Sequence, residues 1–240
     1  MLERLENEAA KLGLKINVHK SKEMRIAMNN NETLCIYSET IERVTQFAYL
    51  GSIIDNTGGT EADITARIRK AQIAFSALDK IWHSTAHSTQ TKLHIFNTNM
   101  KAVLLCGCET WKNSKCITAM LQVFINKYLR KILQIFWLDQ VTNEELWQRT
   151  KQPRIDLHIR KRKWGWLDHT LRKPSDDIAR HALEWNPQGK RGRGKLRNTW
   201  QRTVLEEAKR VKKTWMDIKT DAKNRVRWRI LVEALCSAAE

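Results

Sequence analysis

Proline and glycine are scarce in this sequence, three and nine in 240 residues, which leaves little material for turn-rich sheet architectures and favours helix. Apolar runs are short as well. None approaches the ~18 residues a membrane-spanning helix needs, so no membrane partner is expected. Charges interrupt Met1-Leu2-Glu3-Arg4 too early for a secretory signal. The cysteines are odd in number, at 35, 106, 108, 116 and 236, and form neither a disulfide framework nor repeated CxxC units. That usage suits a reducing, intracellular setting, cytoplasmic or nuclear. Cys106-Gly107-Cys108 and Cys116 lack a second ligand pair at finger spacing, and His83 and His87 lack a third ligand, so no metal centre is expected. Carboxylate pairs are missing too. The adjacent Asp176 and Asp177 read as a helix N-terminus ahead of Ile178. Asp168-His169 supplies one carboxylate and one imidazole, too little for a nuclease site. No catalytic residue is expected in the chain.

What is present is hydrophobic residue, enough at 42% to bury one sizeable core or two modest ones, and positive charge. The formal net charge is +17, unevenly spread. Residues 1–150 carry 19 Lys and Arg against 15 Asp and Glu, whereas residues 151–240 carry 24 against 11. A field of that sign over the last ninety residues attracts a polyanion, RNA or DNA, more strongly than solubility alone requires.

Along the chain, Leu2, Leu5, Ala9 and Leu12 recur at helical spacing and Gly13 closes the helix. The period then shortens. Met24, Ile26 and Met28 alternate with polar residues, and Cys35–Tyr37, Ile41–Val44 and Phe47–Ile54 read as short strands, the last folded back at Gly51-Ser52. Thr60 caps a helix predicted to reach Trp82, with Ile64, Ile68, Ala71, Phe75, Leu78 and Trp82 on one seam and Arg67, Arg69 and Lys70 opposite. Ser88 opens a second helix (Leu93, Phe96, Met100 and Val103 inward). A third runs from about Ser114 to Ile135, and Thr142 caps a short helix carrying Leu146 and Trp147. Two basic runs follow. Arg160-Lys161-Arg162-Lys163 precedes Trp164 and reads as helical, whereas Lys190, Arg191, Arg193, Lys195 and Arg197 lie in a glycine-interrupted stretch able to follow a phosphate backbone. Six of the ten tryptophans fall after residue 150; Trp200, Trp215 and Trp228 share apolar helical faces, which leaves Trp164 as the expected base stacker. Asp221 and Arg225 read as a surface pair.

Several phrases together resemble a known family. Gly13-Leu14-Lys15-Ile16-Asn17-Val18-His19-Lys20-Ser21-Lys22, followed by Phe47-Ala48-Tyr49-Leu50-Gly51-Ser52, resembles the last two palm motifs of reverse transcriptases of non-LTR (LINE-type) retrotransposons, GLxxNxxKTK and FxYLG, with Ser21 for the usual Thr. Gly107–Trp111 is similar to the family's YGxETW, Cys106 standing for Tyr. Arg130–Trp147 is similar to its stretch ending DxVxNxxLW. Trp164–Arg172 is similar to WLGHxLR with Asp168 for Gly, and Gly189–Trp200 to GRPKxxW with Gly194 for Pro. The resemblance spans essentially the whole chain.

It implies a mainly α protein with three parts. Residues 1–58 would be a palm remnant of one helix and short antiparallel strands, 59–140 a thumb-like helical bundle, and 141–240 a basic, Trp-rich helical nucleic-acid-binding region. Lys20 and Lys22 would meet phosphate, and Phe47, Tyr49, Leu50 and Gly51 would form a primer grip. The family's catalytic aspartates hold Mg²⁺ for nucleotidyl transfer; the chain starts just after their turn, so it is expected to be a C-terminal fragment, inactive alone, with no cofactor of its own. Its partners would be RNA or DNA and the missing polymerase portion. The alternative is a freestanding nucleic-acid-binding accessory protein derived from such an element.

Overall fold

In the computed structural model, the residues described are 2–26, 32–112, 114–185 and 199–237. The chain is mainly helical and divides into two compact units, Met1–Ala66 and Arg67–Glu240.

The first unit opens with α1 (Leu2–Lys11), none of whose residues is buried. Its end follows from Gly13, which takes φ +68° so that Leu14 N–H reaches the Ala9 carbonyl at 2.9 Å and Gly13 N–H reaches Ala10 at 3.0 Å, closing a Schellman cap. After a 3₁₀ turn at Val18–Lys20 come, among the described residues, six short strands: β1 (Lys22–Glu23), β2 (Cys35–Ile36), β3 (Glu39–Thr40), β4 (Glu42–Arg43), β5 (Gln46–Tyr49) and β6 (Ser52–Asp55). β1 pairs with β4 in parallel, whereas β2–β3 and β5–β6 are antiparallel hairpins. Both hairpins turn on two residues of positive φ, Tyr37-Ser38 and Leu50-Gly51, the backbone sign that matches strand twist. Tyr37 links the pieces: its hydroxyl accepts from Ile16 N–H and its own N–H donates to Glu6 Oε1, both at 3.2 Å. α2 (Glu61–Ser76) begins here, and Asp63 in its first turn accepts Ile53 N–H at 2.9 Å, fastening β6.

The second unit takes the rest of α2, then α3 (Asp79–His83), α4 (Thr89–Thr98), α5 (Met100–Leu104) and α6 (Lys115–Leu133). Two predicted helices are each broken once. The first stops at Ser76 because the Phe75 carbonyl is taken by Leu78 N–H and by the Trp82 indole, at 3.1 and 2.8 Å, while the Phe75 and Trp82 rings stack 4.6 Å apart. The second stops at Asn99, whose side-chain amide donates to the Ile95 carbonyl at 3.1 Å, a local competitor of the kind that loosens helices. Ser88 and Ser114 cap α4 and α6 as their positions predict. Phe75, Trp82, Phe96, Met100, Leu121 and Tyr128 are buried in this part of the core.

The remaining helices are α7 (Asn143–Thr150), α8 (Ile155–Leu171), α9 (Ile178–Glu184), α10 (Trp200–Arg210), α11 (Trp215–Asp221) and α12 (Arg225–Ser237). α8 is their spine. It packs on α6, α9, α12 and the 3₁₀ turn Cys108–Thr110, and its Trp164, Leu167 and Leu171 join Val204, Ile218 and Trp228 in one apolar cluster. No described helix is long and apolar enough to cross a membrane.

Candidate nucleic-acid interface

Lys20 is exposed on its 3₁₀ turn, which Asn17 holds by accepting Lys20 N–H at 3.0 Å. Lys22 is exposed as well and ion-paired to Glu42 at 3.1 Å. The β5–β6 tip projects: Tyr49 is 56% and Leu50 88% exposed, with Phe47 on the same strand also exposed. Gly51 has φ +83°, and a Cβ there would meet open space, so its backbone conformation is what asks for glycine.

The first basic run is largely turned inward. Positions 160, 163, 164 and 167 share one helical face, which packs on α12 and reaches Glu207 of α10. Trp164 is fully buried; its indole donates to Glu207 Oε2 at 2.7 Å and its ring lies 5.8 Å from that of Trp228. Lys163 is equally buried, 2.7 Å from Glu207 Oε1, and its pKa is lowered, first by burial and further by Arg160 and Arg210, against the raising effect of the carboxylate. Arg160 donates to the Leu235 carbonyl at 2.8 Å, and Arg162 pairs with Glu109 at 2.8 Å. Lys161 alone of the four is exposed. The expectation of Trp164 as an exposed stacker is therefore corrected, as is that of Lys163 as a surface cation: one buried carboxylate, distant in sequence, draws both inside. Arg67, expected opposite the seam of α2, is buried too. Asp221, expected to pair with Arg225, pairs with Lys213 at 2.9 Å. The second run, Lys190, Arg191, Arg193, Lys195 and Arg197, lies outside the described residues.

Exposed aromatic side chains occur where the periodicity drew no attention. Phe136, Trp137 and Trp185 are 69%, 86% and 69% exposed. They stand in turns or at a helix end, so no seam marks them.

Two of the phrases carrying the family resemblance are fastenings within the second unit. In the DxVxNxxLW stretch, Trp147 donates its indole N–H to Asn126 Oδ1 at 2.9 Å, Asn143 accepts from Asn126 and Arg130, and the Val141 carbonyl accepts from Arg130 at 3.2 Å. In Gly107–Trp111, Gly107 takes φ +78°, Glu109 holds Arg162, and the Glu109 carbonyl accepts the Trp200 indole at 2.7 Å. Cys108 beside it is buried, which pushes its thiol up to about 12 and makes it a poor thiolate ligand. Among the described residues no group of three or more His, Cys, Asp or Glu is placed to hold a metal ion.

A cleft of 640 Å³ runs past Lys115, Thr118, Arg154, Arg160 and Arg210, with Asp156 and Glu207 also in its wall. Exposed cations continue onto the later helices: Lys209 and Arg210 end α10, Lys212 follows it, Lys223 precedes α12, and Arg225, Arg227 and Arg229 stud α12. None of these seven is ion-paired among the described residues.

Known proteins match this chain in two ways. Residues 74–105, from the end of α2 past α5, match the model of a domain of unknown function, DUF6451. A Caenorhabditis elegans protein, named as uncharacterized and transposon-derived, is 24% identical over 217 residues, covering 86% of this chain and 77% of that protein. No solved structure matches. Over most of its length, then, the chain is similar to a transposon-derived protein.

Proposed function

We propose that this chain is the nucleic-acid-holding part of a reverse transcriptase of the non-LTR retrotransposon kind, gripping RNA or DNA by its phosphates during primed synthesis. The observation that carries this is the excess of exposed positive charge on the second unit: Lys161 and the seven cations from Lys209 to Arg229 are exposed and without ion-pair partners among the described residues, against the exposed carboxylates Glu206, Asp217 and Glu233 on α10 to α12. Charge of one sign left exposed in this density attracts a polyanion. The ordered motif phrases suggest the polymerase context, and the similarity to a transposon-derived protein supports an origin in a mobile element. In that context the exposed β5–β6 tip serves as a primer grip, with Tyr49 and Leu50 against the primer end and Lys20 near phosphate. No step of nucleotidyl transfer is assigned to residues of this chain.

Backbone contacts of this kind release counterions on binding. A filter-binding titration should show affinity for single-stranded RNA or DNA falling with salt, with a log–log slope of about −0.7 per phosphate neutralised, and little base preference. Affinity indifferent to salt, or no binding to either polymer at low ionic strength, overturns the proposal.

A further inference from the structure

Away from the exposed cations of α10 and α12, a smaller pocket of 250 Å³ is lined by Asn97, Lys101, Lys151, Gln152, His158 and Arg162, together with apolar neighbours. Four helices build it: α4, α5, the end of α7 and the first half of α8. Its lining holds four nitrogen bases and no Asp or Glu. Arg162 has its charge answered by Glu109 at 2.8 Å. Lys101 and Lys151 do not. Lys101 is only 5% exposed, and its ammonium donates to the neutral Gln152 Oε1 at 2.8 Å with no carboxylate partner among the described residues. Lys151 stands in the left-handed region at φ +50°, a strained place for a lysine, as the C-cap of α7.

A buried ammonium without a counterion is costly, and a protein has no folding reason to keep one. Burial alone brings Lys101 down to about 8. His158 is held down to about 4, first by burial and then by the cations Lys101, Arg162 and Lys161. Its imidazole thus lies beside the Lys101 ammonium within the same pocket lining. The charge that would complete such a pocket is a compact oxyanion able to accept several N–H donors at once.

We propose that this pocket is a phosphate-binding site in which the Lys101 and Lys151 ammoniums hold the anion and the Asn97 and Gln152 amides complete its hydrogen bonds. The reading of the chain as a nucleic-acid binder bears only on what carries the phosphate. One source is an internucleotide or 5′-terminal phosphate of RNA or DNA; the other is free phosphate or pyrophosphate.

An anion beside His158 favours its protonated form, so the His158 titration is the readout. Proton NMR of the full chain, with His158→Gln identifying the resonance among the seven histidines, follows the midpoint with and without inorganic phosphate, pyrophosphate, and oligonucleotides bearing a 5′-hydroxyl or a 5′-phosphate. The expected result is an upward shift of the midpoint on phosphate addition. The affinity read from that shift should weaken on the order of tenfold in Lys101→Met and in Lys151→Ala, each of which loses one charge-assisted contact. Lys101→Met should also leave the unliganded protein as heat-stable as the parent or more so, since it removes an uncompensated buried charge; a purely structural lysine would give the opposite. A shift only with inorganic phosphate or pyrophosphate supports the site and assigns it to the free anion. A shift only with oligonucleotides assigns it to the polymer, and a stronger one with the 5′-phosphate to the chain end. An unmoved His158 midpoint with every anion overturns the site. So does phosphate or oligonucleotide affinity, read at His158, that both lysine variants retain in full, an outcome that leaves the nucleic-acid reading standing wherever oligonucleotides still bind with salt dependence. Phosphate binding without any oligonucleotide binding does the reverse.

Discussion

Glu207 is the residue on which the C-terminal helices turn. Its two carboxylate oxygens take the Lys163 ammonium and the Trp164 indole, each at 2.7 Å, and Arg160 Nε lies 3.7 Å away. Removing an acceptor from such a cluster strands a buried cation, which costs far more than the pair itself contributes. Glu207→Ala should destabilise the chain by about 3–5 kcal/mol, measured by urea unfolding. Glu207→Leu combined with Lys163→Met, which removes the stranded ammonium while keeping volume, should recover part of that loss, the rest remaining because the buried Trp164 indole still lacks its acceptor. A small effect of the single change would mean that water reaches Lys163 and that the cluster is not sealed.

At the scale of elements, α8 holds a position that its sequence does not optimise. Gly165 sits in the middle of the helix, exposed, with open space where a Cβ would be. Nothing in its surroundings asks for glycine, whose backbone freedom weakens a helix interior. Gly165→Ala should therefore stabilise the chain by roughly 0.5–1 kcal/mol, seen as a higher denaturation midpoint without a change in cooperativity. The helix boundaries were legible because caps are local: Gly13, Ser88, Ser114 and Thr142 act within a few residues of their own position. The breaks after Ser76 and at Asn99 were not. They depend on the Trp82 indole folding back to Phe75 and on an asparagine bonding the carbonyl of Ile95, both of which leave the apolar period undisturbed.

Taken whole, the molecule should have two stabilities. The first unit has strands of two to four residues, an α1 without buried residues, and a four-residue β5 that is exposed throughout. Little apolar area is withdrawn from water there, whereas α6 and α8 each bury a full face. Hydrogen exchange should find Ile16–Ile54 exchanging well ahead of Leu121–Ile132 and Ile159–Leu171. Protection across the hairpins equal to that of α6 would contradict this and point to packing that burial does not reveal.

Composition and periodicity were enough to establish a mainly helical chain, a small strand-bearing start and a strongly positive final ninety residues, because each is a sum or a repeat over neighbouring positions. The facing of each basic residue was a different matter. Lys163 is 44 residues from the carboxylate that buries it, and the pocket around Lys101 is assembled from four separate helices. Tertiary structure alone decides which cations are answered inside the fold and which remain for an anion outside it, since charge pairing depends on distance in space and the sequence records only distance along the chain.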